Sequence, residues 1–235
     1  MAGEENRQDA PRLPEFSLSP AQLAAMAVIL ELLSVERASV SAVIDQRAWR
    51  VHVADSLTGL QIPELREAST IVDIGSGAGF PGLALAVAMP HAQLDLIESV
   101  GRKCEFIRRA IDAAEIGNAR VLNLRSEEWA SDAGREAYQA ATARAVGRLS
   151  TLAELASPLL SEGGVLVAWK GRRDEGEETQ LSSAANQLAM RPAQVLHVGP
   201  YAGSDHRHLH VIHKVGQTPA ELPRRAGMAK KRPRG

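Results

Sequence analysis

The chain has 235 residues, of which 45% are hydrophobic and 23% are charged, with a formal net charge of −1 at pH 7. This composition supports one sizeable domain, and the near-neutral charge excludes a whole-molecule attraction to nucleic acid, so an RNA-binding surface would have to be a local patch. The single cysteine excludes a disulfide framework, and since no apolar run has membrane length and the start lacks a signal peptide, we expect a cytoplasmic protein.

The first predicted elements are a polar extension and a small helical cap. Residues 1–16 are polar and are predicted to be disordered. Ser19-Pro20 is a helix-start signal, and apolar residues recur at helical spacing over 21–33, which predicts a helix there. With a second helical segment at about 45–59, residues 17–60 are expected to form the cap.

Strands and helices alternate through residues 61–216. Such alternation is typical of a doubly wound, Rossmann-like α/β sheet, which we expect to form one compact unit with the cap. The predicted strands lie at 70–74, 93–97, 119–124, 138–143, 165–169, 194–198 and 208–213. The predicted helices lie at 81–89, 100–116, 149–160 and 176–190.

The first strand ends in a glycine-rich turn, Gly75-Ser76-Gly77-Ala78-Gly79-Phe80-Pro81-Gly82. Its glycines let a ligand approach the backbone, and the helix that follows directs its positive end at the turn. The last six residues fit the dinucleotide pattern G-x-G-x-x-G, but the turn begins earlier, at Gly75. Asp73 would repel a pyrophosphate, whereas it suits a cationic ligand such as S-adenosylmethionine. That ligand is the favoured interpretation, and a dinucleotide site or a purely structural turn stays open.

The second predicted strand ends in an acid, Glu98, roughly twenty residues after the glycines. A carboxylate in this position can accept hydrogen bonds from ribose hydroxyls. The alternative is that Glu98 is only a helix-start acid before Ser99. The ribose role is favoured because of the preceding turn.

The end of the chain, Pro223–Gly235, carries six cations and no acids. This pattern predicts a disordered basic tail over 217–235. Contact with polyanions and a merely solubilising role are both open.

Several segments together resemble one family, the glucose-inhibited division protein B family of bacterial 16S rRNA guanine-N7 methyltransferases. The resemblance runs in order from about residue 18 to 214. Besides the glycine turn, it is carried by Arg50-Val-His52-Val-Ala-Asp55-Ser56-Leu57, Leu96-Ile-Glu98-Ser-Val-Gly-Arg-Lys103, Arg125-Ser126-Glu127-Glu128, Thr142-Ala-Arg144-Ala145 and Ala168-Trp-Lys170-Gly171.

The resemblance implies a class I methyltransferase fold with S-adenosylmethionine as cofactor. It also implies action on 16S rRNA or the small ribosomal subunit, at N7 of the guanine at position 527 of that RNA. We expect the protein to be a monomer. It places the methionine end of the cofactor from Gly75 to Phe80, adenine beside Ser126 and Glu127, and Arg144 at the mouth of the fourth strand. The full set of expected cofactor contacts is Asp73, Gly75, Ser76, Gly77, Gly79, Phe80, Glu98, Ser126, Glu127 and Arg144.

Two segments depart from the family pattern. The family has Asn-Leu-Thr where this chain reads Ala38-Ser-Val-Ser-Ala42. It also has Asp where Gln139 follows Tyr138. Either change could alter how the cap or the site is braced, and neither touches the glycine turn.

Methylation at guanine N7 requires little acid–base chemistry, because N7 carries a lone pair and no proton. Catalysis would be mostly alignment, which can supply ~7–11 kcal/mol. No residue is therefore assigned as an acid or base, and the candidates for positioning the substrate are Arg144, Lys170, His52, Asp55 and Arg207. Cys104 shares an apolar helical stripe, which favours packing over a nucleophilic role.

No metal site is expected. The histidines near the end of the chain alternate along a predicted strand, which favours a solvated strand face over metal binding; they are His206, His208, His210 and His213. Three other functions stay open: a small-molecule methyltransferase, a nicotinamide-dependent oxidoreductase and a non-catalytic ribosome-binding factor.

Overall fold

A seven-stranded sheet organises the protein in a computed structural model, which describes residues 17–36, 40, 41, 43, 45 and 47–235. The strands are β1 (Thr70–Ile74), β2 (Gln93–Ile97), β3 (Ala119–Leu122), β4 (Tyr138–Arg144), β5 (Leu160–Lys170), β6 (Met190–Val198) and β7 (Arg207–Lys214). Their order across the sheet is β3-β2-β1-β4-β5-β7-β6, and β7 is antiparallel to both of its neighbours. The expected α/β sheet is confirmed. The predicted extension 1–16 and part of the 38–42 segment lie outside the described residues.

Helices flank the sheet on both faces. They are α1 (Pro20–Ser34), α2 (Asp55–Leu57), α3 (Pro63–Arg66), α4 (Gly82–Ala88), α5 (Gly101–Ala113), α6 (Ser126–Ala130), α7 (Leu149–Ala156), α8 (Glu175–Ala184) and α9 (Met228–Lys231). Successive strand residues point to opposite faces, so Ile71 joins the core beneath α1, α4 and α5, and Val72 joins the core beneath α7 and α8. None of the described helices is long and apolar enough to cross a membrane.

The cap is fastened to the sheet through α1 and a run of short helical turns. Ser19 and Gln22 form a reciprocal capping box at the start of α1, and the Gln22 amide also donates to the Val87 carbonyl at 2.8 Å. The predicted helix at 45–59 is instead a π-helical turn over Trp49–Ala54, then α2, then a 3₁₀ turn over Thr58–Gln61. These three successive helical turns place Asp55 against the ends of β4 and β5, where it contacts Arg144 and Trp169.

Two boundaries differ from prediction for local reasons. The helix predicted to reach residue 160 ends at Ala156, with Ser157 as its C-cap, because Pro158 has no N–H with which to continue the helical hydrogen bonds. Strand β5 begins five residues before its predicted start, and Gly163 and Gly164 lie inside it. Gly163 has a φ of 84°, and a Cβ on Gly164 would lie 2.9 Å from the Gln139 carbonyl oxygen. The two glycines therefore mark a close strand approach rather than a turn.

The prediction of a disordered tail over 217–235 is wrong for this structure. The segment contains α9, and Leu222 and Ala229 are both 2% exposed. Arg224 forms a bidentate ion pair with Glu154, which is buried on α7. Glu154 belongs to α7, so a search for acids within the segment could not find it, whereas Glu221, which pairs with Arg234 at 3.3 Å, lies within the segment itself.

Candidate functional site

The glycine turn between β1 and α4 lies at the carboxyl edge of the sheet, where open α/β sheets bind ligands. Gly75 has a φ of 67°, a left-handed conformation, and a Cβ there would lie 2.8 Å from Val146 Cγ2. At Gly77, the nearest described atom to such a Cβ, beyond the chain neighbours, is the Gly75 carbonyl oxygen at 3.9 Å. The backbone at Gly77 therefore borders open space that a side chain would fill.

Asp73 lies beneath this turn and braces it. Its side chain is fully buried, with Oδ1 accepting from the Thr142 hydroxyl at 2.7 Å and Oδ2 from the Gly82 N–H at 3.2 Å. Burial raises the pKa of Asp73, and both hydrogen bonds oppose that rise. The sequence predicts a direct ligand contact for Asp73, whereas the structure places it under the backbone as a support.

Three further predicted contacts shape the turn from within. The Ser76 N–H donates to the Ile97 carbonyl at 3.0 Å, and the Gly79 N–H donates to the Ser76 carbonyl at 2.8 Å. Phe80 is 4% exposed, and its ring stacks on His52 with centroids 4.8 Å apart. Ser76, Gly79 and Phe80 thus hold the turn against β2 and the cap.

A cavity of about 380 Å³, here called the glycine cavity, opens beside the turn. Four of the predicted cofactor contacts line it: Gly75, Glu98, Ser126 and Glu127. They come from the ends of β1 and β2 and from the start of α6, so the parallel strands deliver them to one edge.

Glu98 serves the backbone as well as the glycine cavity. Its Oε2 accepts from the Gly77 N–H at 3.0 Å, and its Oε1 accepts from the Val100 N–H at 2.8 Å, just before α5. A carboxylate oxygen has more than one lone pair, so both oxygens retain capacity for a ligand donor. The structure therefore accommodates both sequence interpretations, the ribose acceptor and the helix-start acid.

Glu127 on α6 is held from two directions. Its Oε2 accepts from the Ser126 hydroxyl at 3.2 Å. Its Oε1 accepts from the Gly227 N–H at 2.7 Å, which comes from the C-terminal segment, residues 217–235. The sequence predicts Ser126 and Glu127 as site residues but gives no signal for their partner.

A second cavity, of about 160 Å³ and here called the arginine cavity, lies at the ends of β4 and β5. Four predicted positioning residues line it: Asp55, Arg144, Lys170 and Arg207. Asp55 is 2% exposed, and its Oδ2 accepts from Arg144 at 3.0 Å. Among the described residues, its Oδ1 has no hydrogen-bond donor, and the Arg207 Nε lies 3.8 Å away. A buried carboxylate thus lines this cavity with one oxygen free.

Arg144 joins the end of β4 to the cap. Besides Asp55, it donates to the Val51 carbonyl at 3.0 Å and to His52 Nδ1 at 3.3 Å. Burial lowers its pKa and the Asp55 carboxylate opposes that, but an arginine this basic stays charged. The sequence predicts Arg144 both as a cofactor contact and as a substrate-positioning residue, and in the structure it lines the arginine cavity with the other positioning candidates.

His52 is a neutral brace between the cap and the turn. Burial, followed by the nearby Arg144 charge, lowers its pKa to about 4, although the Val43 contact acts the other way. Since Arg144 can only donate, Nδ1 is the acceptor and Nε2 carries the hydrogen that meets the Val43 carbonyl at 2.9 Å. With both nitrogens engaged, His52 has no free acceptor for a substrate proton.

The two remaining cations at the arginine cavity differ in exposure. Lys170 Nζ donates to the Gly147 carbonyl at 3.1 Å and pairs with Glu177 at 2.7 Å. Arg207, at the start of β7, is more exposed and donates to the Tyr201 hydroxyl at 3.4 Å. Lys170 is therefore partly neutralised, and Arg207 presents more of its charge outward.

The end of β4 and the two residues that follow it connect the two cavities, a connection that the sequence analysis did not predict. Arg144 and Ala145 line the arginine cavity, and Val146 lines the glycine cavity. Ala145 has a φ of 59°, an uncommon conformation for a residue with a Cβ, and strain of this kind concentrates at functional sites. Alanine carries no sequence signal for that conformation, in contrast to the glycines.

No metal centre is found within the described part of the chain, where no three His, Cys, Asp or Glu residues are grouped to hold an ion. The histidine face of β7 is predicted to be solvated, but it is only partly exposed to solvent. His210 is 3% exposed, and burial lowers its pKa. Cys104 is fully buried, which confirms the packing interpretation, and burial raises the pKa of its thiol.

Comparison with known proteins places most of the chain in one group. Residues 21–209 match the family model GidB, described as rRNA small subunit methyltransferase G. A relative from Rubrobacter xylanophilus named ribosomal RNA small subunit methyltransferase G is 42% identical over 77% of this chain and 71% of its own. One of the same name from Moorella thermoacetica is 33% identical over 93% of this chain and 92% of its own.

Solved structures share the fold at low sequence identity. A mutant of MtNAS in complex with S-adenosylmethionine has a TM-score of 0.58 at 12% identity, over 83% of this chain and 73% of its own. A SAM-dependent methyltransferase from Aquifex aeolicus has a TM-score of 0.53 at 16% identity, over 72% of this chain and 94% of its own. These likenesses concern the fold alone.

Proposed function

Because the chain belongs to the GidB family of rRNA small subunit methyltransferases, we propose that it transfers a methyl group from S-adenosylmethionine to N7 of a guanine in 16S rRNA. The observation that carries the proposal is the pair of cavities at one sheet edge, joined through Arg144–Val146. One is bordered by the glycine turn and acids, and the other by a buried carboxylate and cations.

The residues around the glycine cavity suit S-adenosylmethionine. The open space at Gly77 allows close approach to the backbone, and Glu98 and Glu127 supply acceptors for hydroxyl and amino donors. The Glu98 carboxylate already accepts from the Gly77 N–H of the turn. A negative group in that place suits a sulfonium and an amino group better than a pyrophosphate, although Arg125, Lys230 and Lys231 also line the cavity. When bound, the cofactor supplies an electrophilic methyl group.

The arginine cavity suits one flat base. Its volume is about 160 Å³, and Asp55 lines it with a buried Oδ1 that has no hydrogen-bond donor among the described residues. This oxygen would accept from a ring N–H of a bound base. Guanine carries such donors at N1 and N2, which a carboxylate can accept together. Cytosine and adenine present only one amino group there, so Asp55 would favour guanine. A buried carboxylate would also stabilise the positive charge that develops on the base.

The side chains at the arginine cavity hold and orient rather than exchange protons. N7 needs no deprotonation, and His52 has both ring nitrogens occupied and a pKa of about 4. Arg144 fixes the Asp55 carboxylate, and Asp73 fixes the turn from below. Catalysis would then come from alignment, which can supply ~7–11 kcal/mol.

Lys170 and Arg207 would contact the RNA backbone at the mouth of the arginine cavity.

The proposal includes a monomer in the cytoplasm that acts on 16S rRNA or the small subunit. In support of a monomer, the large exposed hydrophobic side chains of the described residues lie singly, just after α1, just before α5 and just after β7: Val35, Val100 and Val215. Sedimentation of the purified protein tests the oligomeric state.

The decisive experiment is methyl transfer from labelled S-adenosylmethionine to 16S rRNA and to small subunits from cells that lack this protein. Chemical cleavage at N7-methylguanine then maps the modified nucleotide. We expect one labelled guanine. Label on a pyrimidine or on an exocyclic amino group, or label only on small molecules, would contradict the proposal.

A further inference from the structure

The C-terminal segment forms one wall of the glycine cavity. Gly227, Ala229, Lys230 and Lys231 line it, together with Thr151 and Leu155 of α7. The glycine turn and Glu98 line it as well. The segment therefore supplies one wall of the cavity, and that side would be open without it.

Contacts on α7 seat this segment. The Arg224 guanidinium pairs with both oxygens of Glu154, which is 3% exposed. The Thr151 hydroxyl donates to the Ala229 carbonyl at 3.2 Å, and Ala229 is 2% exposed. A bidentate arginine pair at a buried carboxylate fixes orientation as well as position. The segment is thus anchored on both sides of Gly227.

Between these anchors, the backbone of the segment reaches a predicted ligand contact. The Gly227 N–H donates to Glu127 Oε1 at 2.7 Å, and Gly227 has a φ of 81°. Glycine adopts this left-handed conformation without the steric cost that a side chain brings. The conformation aims the N–H at Glu127, so the segment fixes the direction of a carboxylate that lines the cavity.

We propose that the C-terminal segment is a working part of the cofactor site, which closes the glycine cavity and orients Glu127 for the nucleoside. The inference rests on the cofactor of the proposed function and is independent of which base is methylated. If the segment favours the bound cofactor, then by thermodynamic reciprocity the bound cofactor also favours the seated segment. This gives two measurements that do not require catalysis.

The first measurement is calorimetric titration with S-adenosylhomocysteine. The variant is Gly227→Val, because a β-branched residue strongly disfavours a positive φ and would turn the N–H away from Glu127. We expect binding about tenfold weaker, the scale of losing one hydrogen bond to a charged group. The matched control is Gly216→Val, since Gly216 has open space around it and no positive φ is recorded there; it should bind like wild type.

The second measurement is limited trypsin digestion of the unaltered full chain. Cleavage after Lys230 and Lys231 should slow when S-adenosylhomocysteine is added, while cleavage near the exposed Arg173 should keep its rate. A chain ending at Arg225 retains the Arg224 anchor and should bind the nucleoside as weakly as the Gly227 variant.

The outcomes separate this inference from the proposed function. Wild-type affinity in folded Gly227→Val and in the shortened chain, or equal digestion with and without the nucleoside, would overturn the role of the segment alone. Loss of RNA binding with unchanged nucleoside affinity would overturn it too, in favour of an RNA-contacting tail. Failure of the full-length protein to bind S-adenosylhomocysteine would instead count against the proposed function.

Discussion

The guanidinium of Arg144 donates to Nδ1 of His52 across 3.3 Å, so a strand of the sheet and the helical cap meet through a hydrogen bond that requires a neutral imidazole. The same guanidinium holds Asp55 at 3.0 Å. A proton on His52 would place two cations against each other beside one carboxylate. The site is therefore arranged around an uncharged His52.

This arrangement predicts a dependence of stability on pH. The unfolded imidazole binds a proton near pH 6.5, whereas the folded one does so only near pH 4. Between these values the unfolded state binds more protons, so stability falls as the pH falls through this window and is unaffected by His52 above it. Thermal melting of wild type and His52→Gln from pH 4 to 8 checks this. A stability difference between them that stays constant over the whole range would contradict it.

Replacement of Asp55 by Asn should separate substrate recognition from cofactor binding. The variant removes the charge that compensates Arg144 and leaves a buried cation, which costs about 3–5 kcal/mol in comparable pairs. We expect a large loss of methyl transfer to 16S rRNA, with S-adenosylhomocysteine affinity retained in calorimetry at a temperature where the variant is folded. Glu64→Gln, which changes a half-exposed acid paired with His213, is the control and should keep full transfer.

Gly75→Asp should abolish cofactor binding. The added side chain would meet Val146 Cγ2 at 2.8 Å and would force a non-glycine residue to a φ of 67°. Gly117→Asp is the matched control, because no described atom lies within 4 Å of a Cβ there. Equilibrium dialysis with labelled S-adenosylmethionine measures both. If the Gly75 variant is folded and binds normally, the turn is only structural.

Lys170→Met should weaken RNA binding in a salt-dependent way. Loss of one phosphate contact lowers the slope of log affinity against log salt by about 0.7–0.9. The methionine keeps much of the apolar stem of the lysine and removes only its charged end. Arg191→Met is the control, because Arg191 lies on β6 near the opposite edge of the sheet. Filter binding to 16S rRNA fragments at several salt concentrations tests the prediction, and an unchanged slope would remove Lys170 from the interface.

Local sequence patterns predicted the fold well, because an apolar strand or a glycine turn can be recognised from a few consecutive residues. All seven strands and the long helices were placed, and the family match supports rRNA methylation over the nicotinamide alternative. Asp73 is a residue whose role could not be predicted from local sequence. Its position in the sequence indicates a ligand contact, but the Thr142 hydroxyl that captures it comes from a different strand.

The C-terminal segment shows the same limit at longer range. Its composition matches a disordered tail, and nothing nearby in the sequence contradicts that. Two of its partners, Glu127 and Glu154, lie 100 and 70 residues before the residues they bond in the segment. No motif or spacing in the sequence connects them with it. Only the folded sheet brings α6 and α7 to that place.

The reversal of β7 has a consequence for engineering. Because β6 ends and β7 begins at the edge that carries the site, the hairpin between Val198 and Arg207 lies next to the arginine cavity, which Arg207 and His208 at the start of β7 line. A longer or reshaped hairpin would alter which RNA docks there and would leave the nucleoside wall intact. Retargeting this enzyme scaffold should therefore start at that loop.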